Sequence, residues 1–266
     1  MRFARAPSRN AESVPPSRTS VPIDDWSPPD GLYAPLIEVG SPRPYDGDRW
    51  FRAADLADLA TGALRNVLDE VEASRGYRDG KSQGGGFALL FSGMALGVVL
   101  RVVDGRAVPQ LKPAETWVEL SARGSPMAMR VAGGELQPAS IADLRDNLRM
   151  FFGPIFLALN ELTRFPLVGQ WAQLASAIAS TLLGAPHISQ ARALALVDDL
   201  FETDDLLRRA RPHIAWTPYR DEQRAYATRK VCCFNYRGFS GAYCTAQCPL
   251  VPVAEREAAM VHLMDG

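Results

Sequence analysis

No cysteine occurs in the first 231 residues of this 266-residue chain, and lysine is nearly missing as well, with Lys81, Lys112 and Lys230 its only three. The first absence excludes a disulfide-built scaffold, whose cysteines are spread through a short secreted chain. The second leaves arginine to carry the positive charge, a bias of composition with no functional reading attached. Histidine is scarce too: His187, His213 and His262 stand apart from one another and from the cysteines, so a histidine-based metal site is not expected. The opening MRFARAPSRNAESVPPSRTS lacks the apolar run of a secretory signal, and the expected location is the cytoplasm. The order GxxxxGK[ST] is absent, because Lys81 and Ser82 precede Gly84, Gly85 and Gly86 instead of following them. Signatures of Rossmann dinucleotide binding, serine hydrolases and paired-carboxylate glycosidases are missing. A formal net charge of -1 offers no global attraction to nucleic acid or to an anionic membrane.

What is present is ordinary for a globular chain, with 47% hydrophobic and 22% charged residues. Residues 1–45 are rich in Pro, Ser, Arg and Asp, a composition that cannot bury a core, and read as a flexible arm. Residues 46–212 read as an α+β scaffold of helices packed on a small antiparallel sheet, and 213–266 as a C-terminal metal-binding segment. Within the scaffold, apolar residues from Leu56 to Val71 recur at helical spacing over 51–74. The run 87–121, rich in Val, Leu and Phe, reads as strands turning at Asp104-Gly105, with further strands at TWVELSARG and PMAMRVAGGELQP, the second turning at Gly133-Gly134. Ser140 with Asp143 marks a helix start, followed by the face Leu144, Leu148, Phe151, Phe152, Ile155, Phe156 and Leu159. Between Phe165 and Ala191 no formal charge occurs, yet Gln170, Gln173, Ser176 and Ser180 favour a buried helix over a membrane span. Ser189 caps another helix.

The chemistry is concentrated in Val231–Pro249, VCCFNYRGFSGAYCTAQCP, which holds all four cysteines: adjacent Cys232 and Cys233, a ten-residue gap, then Cys244 and Cys248 with three residues between. Four thiols in one short segment suit a single tetrathiolate site. Adjacent side chains of an extended chain point to opposite sides, so both reach one centre only if the backbone turns sharply. Structural zinc prefers cysteine pairs two to four residues apart, and only the second pair fits; a two-iron cluster takes two thiolates per iron and tolerates a vicinal pair better. Two disulfides, in an oxidising compartment, or four unligated thiols are the remaining readings.

The string RKVCCFNYR, the ten-residue gap and the closing C-x3-C-P-L resemble the C-terminal signature of the ferric-siderophore reductase family typified by FhuF, over roughly Arg229–Leu250, with a weaker echo in GQWAQLASAIASTLLGA. The resemblance implies a [2Fe-2S] cluster on Cys232, Cys233, Cys244 and Cys248 that reduces siderophore-bound Fe(III) by one electron, with no catalytic residue beyond the cluster. It implies a ferric siderophore of the hydroxamate type as substrate and an external donor, such as a ferredoxin or flavin reductase, since the chain carries no nicotinamide or flavin motif. The family has two residues between its last cysteines; Thr245, Ala246 and Gln247 make three here, and the extra one is expected to bulge or to alter the grip on one iron. Among the basic and aromatic residues nearby, Arg237 and Tyr236, tied in sequence to the metal, and then Trp216 and Arg220, are the candidates for substrate contact or for tuning the centre. The alternatives are a non-catalytic zinc-binding interaction protein, or an electron carrier with another substrate.

Overall fold

A computed structural model of the chain describes residues 36–39, 49–121, 123–132, 139–202 and 205–265. Two short strands come first, β1 (Leu36–Val39) and β2 (Trp50–Arg52); β1 lies within the stretch read as an arm. The amphipathic pattern after it makes two helices instead of one: α1 (Ala53–Ala57) and α2 (Ala63–Arg75) are separated at Gly62, whose φ of 71° is left-handed and costs glycine little. Leu64, Val67, Leu68 and Val71 form the buried stripe of α2, as the spacing requires.

The stretch from Phe87 expected to begin a sheet is helical, and so is the glycine-rich stretch before it that reads as a loop: together they form α3 (Gly80–Phe91) and α4 (Met94–Val103). Asp79 starts α3 by accepting the Ser82 N–H at 2.9 Å. Asp104-Gly105 ends α4 and turns no hairpin: Gly105 is left-handed at φ 69° and the Arg106 N–H reaches back to the Arg101 carbonyl at 2.8 Å, the six-to-one bond of a glycine-terminated helix. A run apolar on every side has neither a two-fold nor a 3.6-fold period to read, and burial, not Val propensity, decides it. The span Gly80–Val103 is long and apolar enough to cross a membrane by length and composition, with 78% of its most apolar 18-residue stretch buried inside the fold.

Strands follow where expected, β3 (Thr116–Leu120) and β4 (Pro126–Val131), paired antiparallel with Val118 opposite Met129. The four-stranded sheet has the order β1-β4-β3-β2 and is mixed, because β1 runs parallel to β4. The turn expected at Gly133-Gly134 lies outside the described residues. Helix α5 (Ile141–Thr163) opens with a full capping box between Ser140 and Asp143. Then come α6 (Leu167–Gly184), α7 (Gln190–Phe201), capped by Ser189, and α8 (Asp205–Ala210). A hairpin of β5 (His213–Tyr219) and β6 (Glu222–Thr228) forms a second sheet, and α9 (Val253–Asp265) closes the chain. The α+β class therefore stands, with two small sheets.

The main core is aromatic. Phe87, Phe91, Phe151, Phe152, Phe156 and Trp171 form a continuous chain of rings 5.0–6.0 Å apart that ties α3, α5 and α6 together. Uncharged α6 lies inside it, contacting α3, α4, α7, α8 and β6. That is why it can lack charge along its length: almost no face of it meets water.

Candidate metal centre

The cysteine segment leaves β6 and is drawn into a closed loop at once, because the Arg229 N–H donates to the Gln247 carbonyl at 3.0 Å. The turn that the vicinal pair requires is supplied by Phe234, left-handed at φ 59°, with its N–H on Cys232 Sγ at 3.3 Å. A non-glycine residue held there needs support, and gets it from ring packing: Phe234 meets Phe165 edge-on at 6.1 Å and carries the Arg237 guanidinium over its ring, 4.9 Å from the centroid. Thr245–Gln247, the stretch with the extra residue, is a single 3-10 turn. It does not simply bulge outward; Ala246 is buried against Tyr226 and Met260.

Helix α3 comes close enough to touch this loop only because of its glycines. A Cβ on Gly85 would lie 2.8 Å from the Cys233 carbonyl oxygen, and one on Gly84 2.3 Å from Thr163 Oγ1. The triple glycine that fails as a phosphate cradle thus serves close packing. From α6, Gln173 donates to the Val231 carbonyl at 3.0 Å, and Ser180 accepts from Gln247 Nε2 at 2.7 Å. Buried Tyr77 donates to Asn235 Oδ1 at 3.1 Å, and the Phe239 N–H donates to the Arg75 carbonyl at 2.7 Å. Two of the polar residues that interrupt α6 in sequence, Gln173 and Ser180, are therefore anchors for both ends of the cysteine segment, while Gln170 and Ser176 bond to the Phe165 and Ala172 carbonyls.

All four cysteines are free thiols; Cys233 and Cys248 are buried, Cys232 and Cys244 half-buried. Cys233 Sγ and Cys244 Sγ lie 3.3 Å apart, and Arg229 Nη1 sits 2.9 Å from Cys244 Sγ and 3.8 Å from Cys233 Sγ. Arg229 is only 8% exposed, and its second nitrogen donates to Gln247 Oε1 at 3.1 Å. The shared proton splits the pair: the hydrogen bond from Cys233, and next the guanidinium, pull Cys244 down to about 5, while that same bond and burial push Cys233 upward. Burial also raises Cys232, and the charges of Cys248 and Cys244 add to it. Tyr77 is raised to about 12, first by burial.

Two thiolates on one tetrahedral ion with bonds of about 2.3 Å lie about 3.8 Å apart, so the Cys233–Cys244 pair has nearly the spacing of two ligands on one ion. Cys232 is within electrostatic reach of Cys244 and Cys248, and a buried cation offsets thiolate charge. Among the described residues, however, no group of three or more His, Cys, Asp or Glu side chains stands in a ligating arrangement. The chemistry of the set fits a tetrathiolate centre, and side-chain closure is reached by two of its members.

The four candidates for substrate contact or tuning separate into two places. Arg237 and Tyr236 stay at the cysteine loop, where Arg237 pairs with Asp79 at 3.2 Å, contacts Tyr236 Oη at 3.3 Å and lies over Phe234. Tyr236 stacks on Tyr243 at 5.0 Å, joining the two ends of the ten-residue gap. Arg237 is thus a latch between α3 and the loop as well as a surface cation. Trp216 stands 48% exposed on β5, and Arg220 at the tip of the hairpin, over the Tyr219 ring at 5.0 Å; among the described residues neither has a hydrogen bond or ring contact with the cysteine loop. Arg229 and Gln247, which touch the thiols or hold the residue that does, carry no motif of their own. Their signal in sequence is adjacency to the cysteines alone.

No protein-family model matches this chain, and no curated protein matches it.

Proposed function

We propose that this protein is a ferric-siderophore reductase whose four cysteines hold one [2Fe-2S] cluster. The observation that carries the reading is the Cys233–Cys244 contact under a buried arginine, with Cys232 and Cys248 in the same electrostatic neighbourhood. When bound, such a cluster supplies a single electron at a potential set by its hydrogen bonds and exposure. Siderophores hold Fe(III) far more tightly than Fe(II), so that electron suffices to make the metal labile. Arg229 offsets part of the thiolate charge and donates to Cys244, the kind of outer contact that tunes a metal centre. Phe165 and Phe234 meet edge-on beside the Cys232-Cys233 turn, and buried Tyr77 is within electrostatic reach of Cys233 and Cys244. Phe239, which lies against Gly76 and donates its N–H to the Arg75 carbonyl, is 76% exposed, and Tyr243, next in sequence to Cys244, is 48% exposed, which leaves exposed rings on this loop for a chelate or an electron donor to approach. The electrons come from a partner, because the chain carries no nicotinamide or flavin motif.

Anaerobic purification tests the reading directly. The cluster protein is red-brown, holds about two iron and two sulfide per chain and bleaches with dithionite; reduced, it releases Fe(II) from a ferric hydroxamate to a ferrous chelator. A colourless protein with about one zinc per chain sinks the proposal and leaves the second reading, a zinc clip, which the three-residue spacing of Cys244 and Cys248 suits.

A further inference from the structure

On the far side of the Thr245–Gln247 turn from α3 there is a cavity of about 570 Å³ between the C-terminal end of α6, the β5–β6 hairpin and α9. That volume is in the range of sites that enclose a small molecule. One wall is apolar, made by Leu183, Ile188, Met260 and Leu263 among others. The lining includes two cations, Arg220 and Arg224, and among the described residues no carboxylate. Arg224 is paired with Glu222 at 2.6 Å, whereas among the described residues Arg220 makes only its ring contact with Tyr219.

Two further features concern the polar groups of this cavity. Tyr226 lines it, is 3% exposed, and its buried hydroxyl has no hydrogen-bond partner among the described residues; buried hydroxyls are nearly always satisfied. Arg220 is left-handed at φ 54° as the first residue of the two-residue turn joining Tyr219 to Glu222. That position in a tight hairpin belongs to glycine, so an arginine held there gives up backbone ease to keep its side chain at the cavity mouth.

We infer that this cavity is a binding site for a small anionic molecule with an apolar body, its charge on Arg220 and its body against Met260 and Leu263. The site does not depend on what the cysteines hold. It is nonetheless next to them: Gln247 lines the cavity and accepts from Arg229, which donates to Cys244.

The full-length protein is titrated with 8-anilinonaphthalene-1-sulfonate, an anionic probe that fluoresces in apolar surroundings, with decanoate and decanol as competitors. Saturable binding of one probe per chain is expected, displaced by decanoate at concentrations at least about tenfold below those of decanol, since one charge-assisted contact corresponds to a decade of affinity. Arg220→Ala raises Kd about tenfold on the same ground, and Leu263→Glu, a change at a 65% exposed position, abolishes binding by setting a carboxylate in the lining. Leu157→Glu, at a 60% exposed position on α5, leaves it unchanged and controls for surface adsorption. Absence of saturable binding, indifference to both cavity variants, or equal competition by decanol overturns the inference. Unaltered far-UV circular dichroism in each variant separates these outcomes from misfolding.

Discussion

The helical core and the cysteine loop are held by different physics. Around Phe91, Phe151, Phe152 and Phe156 the side chains are fully buried, pack ring against ring, and belong to one cluster that extends from α1 to β6. Around Ala246 the second buried cluster contains only Tyr226, Ala246 and Met260, and the loop from Arg229 to Val251 is positioned by single hydrogen bonds to α6, by Tyr77 and by its thiols. A region with a large apolar interior is stable by itself, whereas a short segment that buries few side chains of its own depends on its attachments: the Phe165–Phe234 ring contact, the Arg237–Asp79 ion pair, the hydrogen bonds to α6 and the thiol–arginine contact. The comparison teaches that damage to the core should unfold everything, while damage to the loop should disorder the loop alone.

The largest effect is expected at the centre of the ring chain. Phe152→Ala removes a fully buried side chain and should cost about 3–5 kcal/mol of global stability, read from urea denaturation monitored by circular dichroism. A loss under about 1 kcal/mol would mean that the core is not the cooperative unit that its packing implies.

Next comes loss of the centre without loss of the core. Cys233→Ser, or the same change at Cys232, Cys244 or Cys248, should reduce bound metal to background and remove hydrogen-exchange protection from residues 229–251, with α5 and α6 unaffected. A normal visible spectrum in the Cys232 or Cys233 variant would remove the vicinal pair as ligands. If α5 and α6 lose protection together with the loop, the two regions are one.

The interface between them is sharpened by Gly85→Val. Its Cβ would meet the Cys233 carbonyl at 2.8 Å, and overpacking of this kind costs about 1–3 kcal/mol. The expected readout is faster reaction of buried Cys233 with a thiol reagent in metal-free protein, with little change at the Phe91 end of α3.

Asp79 links the regions from outside. Its carboxylate, nudged up by burial, is held below the ordinary value by hydrogen bonds from Ser82 and by Arg237. A depressed carboxylate contributes stability that is complete above its ordinary value of 3.8 and is lost as pH falls through the lowered one. Asp79→Ala should therefore cost about 1 kcal/mol at neutral pH, mostly through the lost helix cap, and the difference from the parent should vanish in acid. A deficit that persists unchanged well below the ordinary carboxylate range would exclude the ionised latch.

The smallest effect on stability is expected for Arg237→Ala, since an exposed ion pair is screened by solvent and contributes little. The variant should keep its metal and, if Arg237 steers an anionic chelate, reduce it more slowly at low salt with the deficit shrinking as ionic strength rises. An unchanged rate at low salt leaves Arg237 as a latch and nothing more.

How far the sequence could be read depended on whether a segment has one wet face. Helix α2 and helix α5 do, and their buried stripes and the Ser140 cap were legible; so were β3 and β4. The run from Phe87 through α4 has none, and reads as strand because a run buried on all sides carries no period; the first turns of α3, rich in glycine, read as loop. The β5–β6 hairpin escaped for the opposite reason: much of β5 is exposed, and its turn is Arg220-Asp221, not the Asn-Gly that announces a hairpin.

The sequence by itself determined the donor set, since all four thiols occur within seventeen residues and covalent connection keeps them near one another in any fold. It also determined the class of fold, through the spacing of apolar residues. Only the tertiary structure decided that Arg229, and not Arg237, lies on the thiols, that Gly85 admits α3 to the Cys233 carbonyl, and that Gln173 and Ser180 anchor the loop. These relations join residues from 58 to 148 positions apart or depend on a left-handed turn at Phe234. Local pattern records which face of an element is buried, but not which neighbour buries it.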